Sequence, residues 1–427
     1  MLELLQLSGV GPAPEIEWHL APRLNLITGD NGMGKTFLLE SAWWALTGTW
    51  AGYPPYPRQD TTKPTITFRF LDERQPHKSQ QARYNWDRLE WVTPSKRSVF
   101  SGLSIFAQVD GSFTIWDPAK YALSGENKLN VGSLENTRSP TSPLHFSAAE
   151  VFDGISVNEG EKMRVLCNGL INDWVYWQNA NPARFEAFCA VLQALSPHPT
   201  TELLIPGEPV RLPEDVRMIP TLKFPYGEVP ILICSSGIQR IAMLAYLLVW
   251  GWNEHVVTSR LMRKAPEPNI ALLIDEVELH LHPLWQRAIV PALMDVAKVL
   301  DKEAQTQMIF TTHSPLILAS LETGFAQEKD NLLHLYLNNN EVQLDDIPFV
   351  KRGRVDLWLM SDIFGLQQPR SKVAEETIEE AKQLQLTTEP KPEDVKRVSE
   401  KLIKVLAQDD EFWPRWTYFA EQRGVHL

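Results

Sequence analysis

Apolar residues recur in short groups from the first positions: Leu2, Leu4, Leu5 and Leu7, then Ile16, Trp18 and Leu20, then Leu24, Leu26 and Ile27, each group set off by Gly or Pro. Short apolar-rich runs divided by turn formers predict three strands leading into a glycine-rich turn. Beyond it Phe37, Leu38, Ala42, Ala45 and Leu46 fall at helical spacing, so the turn opens a helix over 36–46. Strand-like runs follow at 65–71, 82–92, 103–108 and 112–116, the last two joined by the hairpin signal Val109-Asp110-Gly111. They read as an antiparallel β layer.

Residues 118–144 are polar, contain Ser139-Pro140-Thr141-Ser142-Pro143 and predict a long loop. The period turns helical over 148–195, which predicts a helical subdomain, and a proline-rich crossing spans 206–220. Helix 237–252, strand 270–274, helix 283–300, strand 308–312 and helix 314–321 then follow in the βα order of a parallel sheet. A hairpin is expected over 332–344 around Asn338-Asn339-Asn340, and two helices over 371–386 and 393–407. Val395, Val398, Leu402 and Val405 share one face of the last helix, so it docks on something. These shifts suggest four regions: 1–147, 148–230, 231–350 and 351–427.

Composition narrows the class without changing the picture. The chain has 427 residues, 44% of them apolar and 22% charged, which fits a folded globular protein. Forty-one Lys and Arg against 53 Asp and Glu give a formal charge of −12, so the surface as a whole does not attract nucleic acid. Three cysteines, Cys167, Cys189 and Cys234, lie far apart and make no disulfide framework or zinc spacing. The opening Met1-Leu2-Glu3 lacks the basic run of a secretory leader, and the most apolar window, 238–252, holds Gln239 and Arg240 and is short for a bilayer. A cytoplasmic protein with no membrane partner is expected.

Two motifs carry chemistry by their own residues. Gly29-Asp30-Asn31-Gly32-Met33-Gly34-Lys35-Thr36 has the phosphate-loop spacing G-x-x-x-x-G-K-[ST] between an apolar strand and a helix. Its glycines bring backbone N–H groups close to phosphate; Lys35 is expected on the β- and γ-phosphates of ATP, and the Thr36 hydroxyl on Mg²⁺. The run Ile270-Ala271-Leu272-Leu273-Ile274 ends in Asp275-Glu276, as a buried parallel strand delivering two carboxylates to the sheet edge would. Asp275 is expected to hold Mg²⁺ and Glu276 to orient the attacking water. Glu278, His280 and His282 read either as metal ligands alternating on a strand or as a loop after the Mg²⁺ site.

Ser235-Ser236-Gly237-Ile238-Gln239-Arg240, ahead of Asp275, resembles the ABC ATPase signature Leu-Ser-Gly-Gly-Gln; it matches at Ser236, Gly237 and Gln239 and departs at Ser235 and Ile238. Phe310-Thr311-Thr312-His313-Ser314-Pro315 resembles the switch-histidine segment of the same superfamily. The resemblance implies an α/β fold, an ABC ATPase head with a mixed β-sheet, an antiparallel β layer and an inserted helical subdomain. It also implies that Ser236, Gly237 and Gln239 meet nucleotide on another subunit, that His313 contacts the γ-phosphate and the water, and that a glutamine, Gln108 or Gln178, completes the site. Asn31 is typical of the SMC-like and RecF-like branch. Asp275 to Pro283 is similar to the stretch in OLD-family and related bacterial defence ATPases, including Septu-type and retron-linked ones.

No heptad arms lie between Lys35 and Ser236, and Asp345-Asp346 and Asp409-Asp410 lack the context of a Toprim nuclease. The resemblance thus implies an ATPase that forms a homodimer or higher homo-oligomer and controls a separately encoded nuclease or toxin, with DNA or a phage component as trigger. Two other readings stand beside it: a RecF-like repair ATPase clamping DNA, and a nucleotide-gated scaffold with little turnover. The aromatic segment Phe412-Trp413-Pro414-Arg415-Trp416-Thr417-Tyr418-Phe419 is either a terminal segment docked on its own core or an anchor for a partner protein.

Overall fold

The structure is a computed structural model that describes residues 1–71, 78–93, 99–123, 143–159, 162–197 and 203–426. The chain divides into two compact units, Met1–Val355 and Asp356–Leu427.

The first unit is built on an eight-stranded mixed sheet. Its centre is parallel: Asp330–Asn338, Leu24–Gly29, Gln305–Thr311, Asn269–Ile274 and Leu103–Ala107 lie side by side in that order. Leu24–Gly29 and Asn269–Ile274 are almost wholly buried, the continuous apolar pattern of strands covered on both faces. Antiparallel strands finish both edges, Glu341–Asp346 on one and Phe113–Trp116 with Leu144–Phe146 on the other. A second, antiparallel sheet joins Glu15–His19, Leu2–Ser8, Thr65–Phe70, Gln80–Asn85 and Glu90–Val92.

Helix Lys35–Thr47 is the filling between the sheets. Leu38, Leu39, Ala42, Trp43, Trp44 and Leu46 are fully buried in one cluster with Leu5, Trp18, Ile66 and Phe68 of the antiparallel sheet and Ile27, Phe106, Leu273 and Ile309 of the mixed sheet. Burial of each large apolar side chain contributes about 1.5–3 kcal/mol, so the helix that opens at Lys35 has a fixed seat.

Several expectations are corrected. The runs at 103–108 and 112–116 belong to the mixed sheet, because Leu103–Ala107 pairs in parallel with Asn269–Ile274, far along the chain. The run 82–92 is two strands separated by a turn in which Leu89 has φ 54°. The helical stretch over 148–195 is interrupted by a hairpin of Ile155–Glu159 and Lys162–Cys167 between helices Ala148–Asp153 and Leu170–Ala180. Most of the loop expected over 118–144 lies outside the described residues, and its start is a helix, Pro118–Leu123.

The second unit contains helices Lys372–Leu386, Pro392–Val405 and Trp413–Glu421 around their own core of Ile378, Ala381, Val395, Val398, Leu402, Trp416 and Ala420. The third of these helices is an addition to the two read from the sequence.

Candidate active site

The phosphate loop leaves the buried strand Leu24–Gly29 and turns through three glycines with positive φ: Gly29 at 140°, Gly32 at 81° and Gly34 at 96°. At Gly29 a Cβ would lie 2.1 Å from the Leu335 carbonyl oxygen, and at Gly34 2.6 Å from the Pro12 ring, so both positions exclude side chains. Asp30, Asn31 and Gly32 are exposed and Met33 is half-buried. Lys35, a buried residue, donates from its ammonium to the carbonyls of Gly29 and Asp30, each at 2.8 Å. Burial pulls its pKa below the ordinary lysine value, against the opposing pull of Asp275 and Glu276.

Three elements converge on Asp275, which is 2% exposed. The Thr36 hydroxyl donates to its Oδ2 at 2.7 Å, and the Thr311 hydroxyl, at the end of the next strand, donates to its Oδ1 at 2.6 Å. The Glu276 amide donates to the same Thr311 oxygen at 2.7 Å, which pins Glu276 at a left-handed φ of 49°. The carboxylate of Glu276 lies 3.9 Å from the Nε2 of His313.

Beyond Glu276 the chain turns, so Glu278, His280 and His282 do not alternate along a strand and the metal-ligand reading of the three is not realised. Glu278 points inward, accepting from the Thr312 hydroxyl at 2.7 Å and the His313 amide at 2.5 Å. Burial raises its pKa and these donors oppose the rise. His280 is exposed, and His282 caps helix Pro283–Leu300 by accepting from the Leu284 amide.

Helix Ser236–Leu261 begins beside this turn. Ser236 is exposed at its first position. Gly237 faces the His280 backbone: a Cβ there would be 2.6 Å from the carbonyl oxygen. The Gln239 amide turns back to donate to the Ile231 and Leu232 carbonyls at 3.1 and 2.9 Å. One turn into the helix Arg240, 7% exposed, reaches the carbonyls of Gln108 at 3.4 Å and Asp275 at 3.3 Å. Burial lowers its pKa while Asp275, Glu276, Asp110 and Glu278 hold it up.

Of the two glutamines, Gln108 follows Leu103–Ala107, whose last carbonyl accepts from the Asp275 amide at 2.9 Å. Gln178 lies on helix Leu170–Ala180 and donates to the Gly207 carbonyl at 3.0 Å, so only Gln108 stands at the carboxylate edge. The sequence reading quoted Arg240 and Thr311 without giving them work at this site, and offered Glu278 only as a metal ligand or part of a loop. The available signal was position, since each sits within two residues of a motif residue.

Two family models match the chain, one described as "AAA domain" over residues 5–115 and one as "AAA domain, putative AbiEii toxin, Type IV TA system" over residues 224–319. The Septu protein PtuA of Bacillus thuringiensis is 30% identical over 392 residues, covering 89% of this chain and 88% of that protein. The "Retron Ec83 probable ATPase" of Escherichia coli is 29% identical over 141 residues, 33% of this chain; the match spans only 23% of that relative. Among solved structures, the SMC head domain from Thermotoga maritima aligns with a TM-score of 0.38 at 14% identity, over 81% of this chain and 99% of that one.

Proposed function

The chain belongs to the family of the Septu protein PtuA, and from that premise we propose that it binds and hydrolyses ATP as the regulatory subunit of a cytoplasmic anti-phage defence complex. Two copies close around nucleotide, and the assembly controls a separately encoded nuclease or toxin in response to DNA or a phage component. The observation that carries the ATPase reading is the hydrogen-bonded line Thr36–Asp275–Thr311, which ties the phosphate loop to the strand bearing Glu276.

Gly29, Asp30, Asn31, Gly32, Met33 and Gly34 wrap the phosphates, and Lys35 exchanges its two carbonyl partners for phosphate oxygens. Mg²⁺ fits the donor set, because the hydroxyl of Thr36 and the carboxylate of Asp275 are hard oxygens already in contact. When bound it neutralises charge on the β- and γ-phosphates. Glu276 orients the attacking water, His313 beside it meets the γ-phosphate, and Gln108 completes the edge. Ser236, Gly237 and Gln239 open a helix whose exposed first residue, Ser236, suits the γ-phosphate of a second copy, with Gly237 and Gln239 holding that helix start in place.

Phosphate release by the purified protein tests the chemistry. Glu276→Gln is expected to slow it about 10²–10⁴-fold with binding retained, and Lys35→Ala to abolish binding. Light scattering of Glu276→Gln with ATP is expected to give a dimer or larger; a strict monomer at saturating ATP rejects the closed pair. If Glu276→Gln also keeps phage protection while Lys35→Ala loses it, binding alone is the signal and the scaffold reading replaces this one.

A further inference from the structure

The aromatic segment near the C-terminus divides its rings between two tasks. Phe412, Trp416 and Phe419 are buried in the core of the second unit. Trp413, half-buried, packs against the edge of that core, and Tyr418 is 67% exposed. The two rings line an open groove of about 500 Å³ whose remaining wall carries Asp409, Asp410 and Glu421.

The groove's rim shows what its carboxylates accept. Arg370 seats its guanidinium on Asp410 in a two-pronged pair, both contacts at 2.8 Å. Two parallel N–H···O bonds are the preferred geometry for a guanidinium on a carboxylate. Asp409 and Glu421 are exposed and line the same groove as Tyr418. Carboxylates next to an aromatic face suit a cation that pairs with one and lies over the other, and they repel the phosphates of a nucleic acid. The indole N–H of Trp413 donates to the Ala407 carbonyl, which fixes the ring before any partner arrives.

We infer that this groove is a docking site for an arginine- or lysine-bearing peptide segment of another protein, a basic side chain entering between Tyr418 and the carboxylates of Asp409 and Glu421. The inference rests on the proposed partnership only for the source of that segment. The groove's preference is a property of this chain alone.

The test uses the full-length protein and a fluorescent peptide of alternating Arg and Gly, with a Glu-Gly peptide as counterpart, followed by anisotropy. The Arg-Gly peptide is expected to bind and the Glu-Gly peptide not. Asp409→Asn with Glu421→Gln is expected to weaken binding at least tenfold, and Tyr418→Ala to do the same with no change of charge. A control pair, Glu393→Gln with Glu400→Gln, removes the same two charges from exposed positions of helix Pro392–Val405 and is expected to leave binding unchanged. Equal loss in the control, or an unaffected Tyr418→Ala, reduces the binding to general charge and overturns the site. Salt-sensitive self-association lost in the Asp409→Asn, Glu421→Gln variant makes a second copy the occupant and overturns the partner named here. Lys35→Ala is expected to bind the peptide normally, so failure of the ATPase reading and failure of the groove are separately visible.

Discussion

The carbonyl oxygen of Asp275 accepts from the guanidinium of Arg240 at 3.3 Å, so one residue faces the phosphate loop with its carboxylate and helix Ser236–Leu261 with its backbone. Arg240 also reaches the carbonyl of Gln108, and around it stand Asp110, Glu276 and Glu278. A single buried cation therefore links three segments of the site.

Removing that cation leaves Asp275, Glu276 and Glu278 with Lys35 as the remaining buried positive charge beside them. Arg240→Met, similar in length and uncharged, is expected to reduce ATP turnover more than tenfold and to destabilise the fold by about 1–3 kcal/mol, the range for losing charged hydrogen bonds in a buried place. Arg240→Lys is expected to recover stability without full turnover, since one ammonium cannot span both carbonyls. Denaturant titration and phosphate release measure the two effects.

Gly237 supplies a second test at the same junction. A methyl group there would press within 2.6 Å of the His280 carbonyl, and overpacking of this kind costs about 1–3 kcal/mol. Gly237→Ala is expected to lift the helix start from the turn, lowering turnover while nucleotide binding to the isolated chain is kept. Equal turnover in the variant and the parent protein would show that the close approach has no role in hydrolysis.

Thr311 holds Asp275 and the Glu276 backbone with one hydroxyl. Thr311→Val keeps the shape and removes both bonds, leaving a buried carboxylate oxygen and an amide unpaired. A loss of about 2–4 kcal/mol in stability is expected for the two groups together, with turnover falling at least as steeply. Thr311→Ser is expected to restore most of each, which thermal melting and steady-state rates can compare.

Much of this site was legible because its motifs are local. Spacing alone placed Lys35 and Thr36 at a helix start and Asp275 and Glu276 at a strand end, and the structure has them there. What could not be read was partnership across long separations. The run at 103–108 carries a correct hairpin signal toward 112–116, yet its other neighbour begins at Asn269, and nothing local says so. The hairpin inside 148–195 was hidden because helical flanks set the period, although Gly154 and Gly169, at φ 91° and 85°, mark its two ends. Arg240 was overlooked because a lone arginine in an apolar helix has no pattern of its own.

A pH prediction comes from the carboxylate that meets Tyr246 of helix Ser236–Leu261. Asp173 is 4% exposed, accepting from the Tyr246 hydroxyl at 2.8 Å and the Asn168 amide at 2.9 Å. Burial raises its pKa and the two donors oppose the rise. A carboxyl whose folded value lies above its unfolded value favours folding fully below the unfolded pKa, about 4, and loses that contribution as pH rises through the folded value. Asp173→Asn is therefore expected to melt higher than the parent protein at pH 7–8, with the gap closing as pH falls toward 4. A gap that widens in acid would reverse the sign and reject the account.

The hold that Gly29 and Asp30 keep on Lys35 bears on how fast nucleotide arrives. A phosphate loop whose ammonium is already braced by its own carbonyls needs no refolding to receive a charge; it trades two neutral acceptors for anionic ones in place. On the proposed reading, entry of nucleotide is then an exchange of acceptors at Lys35.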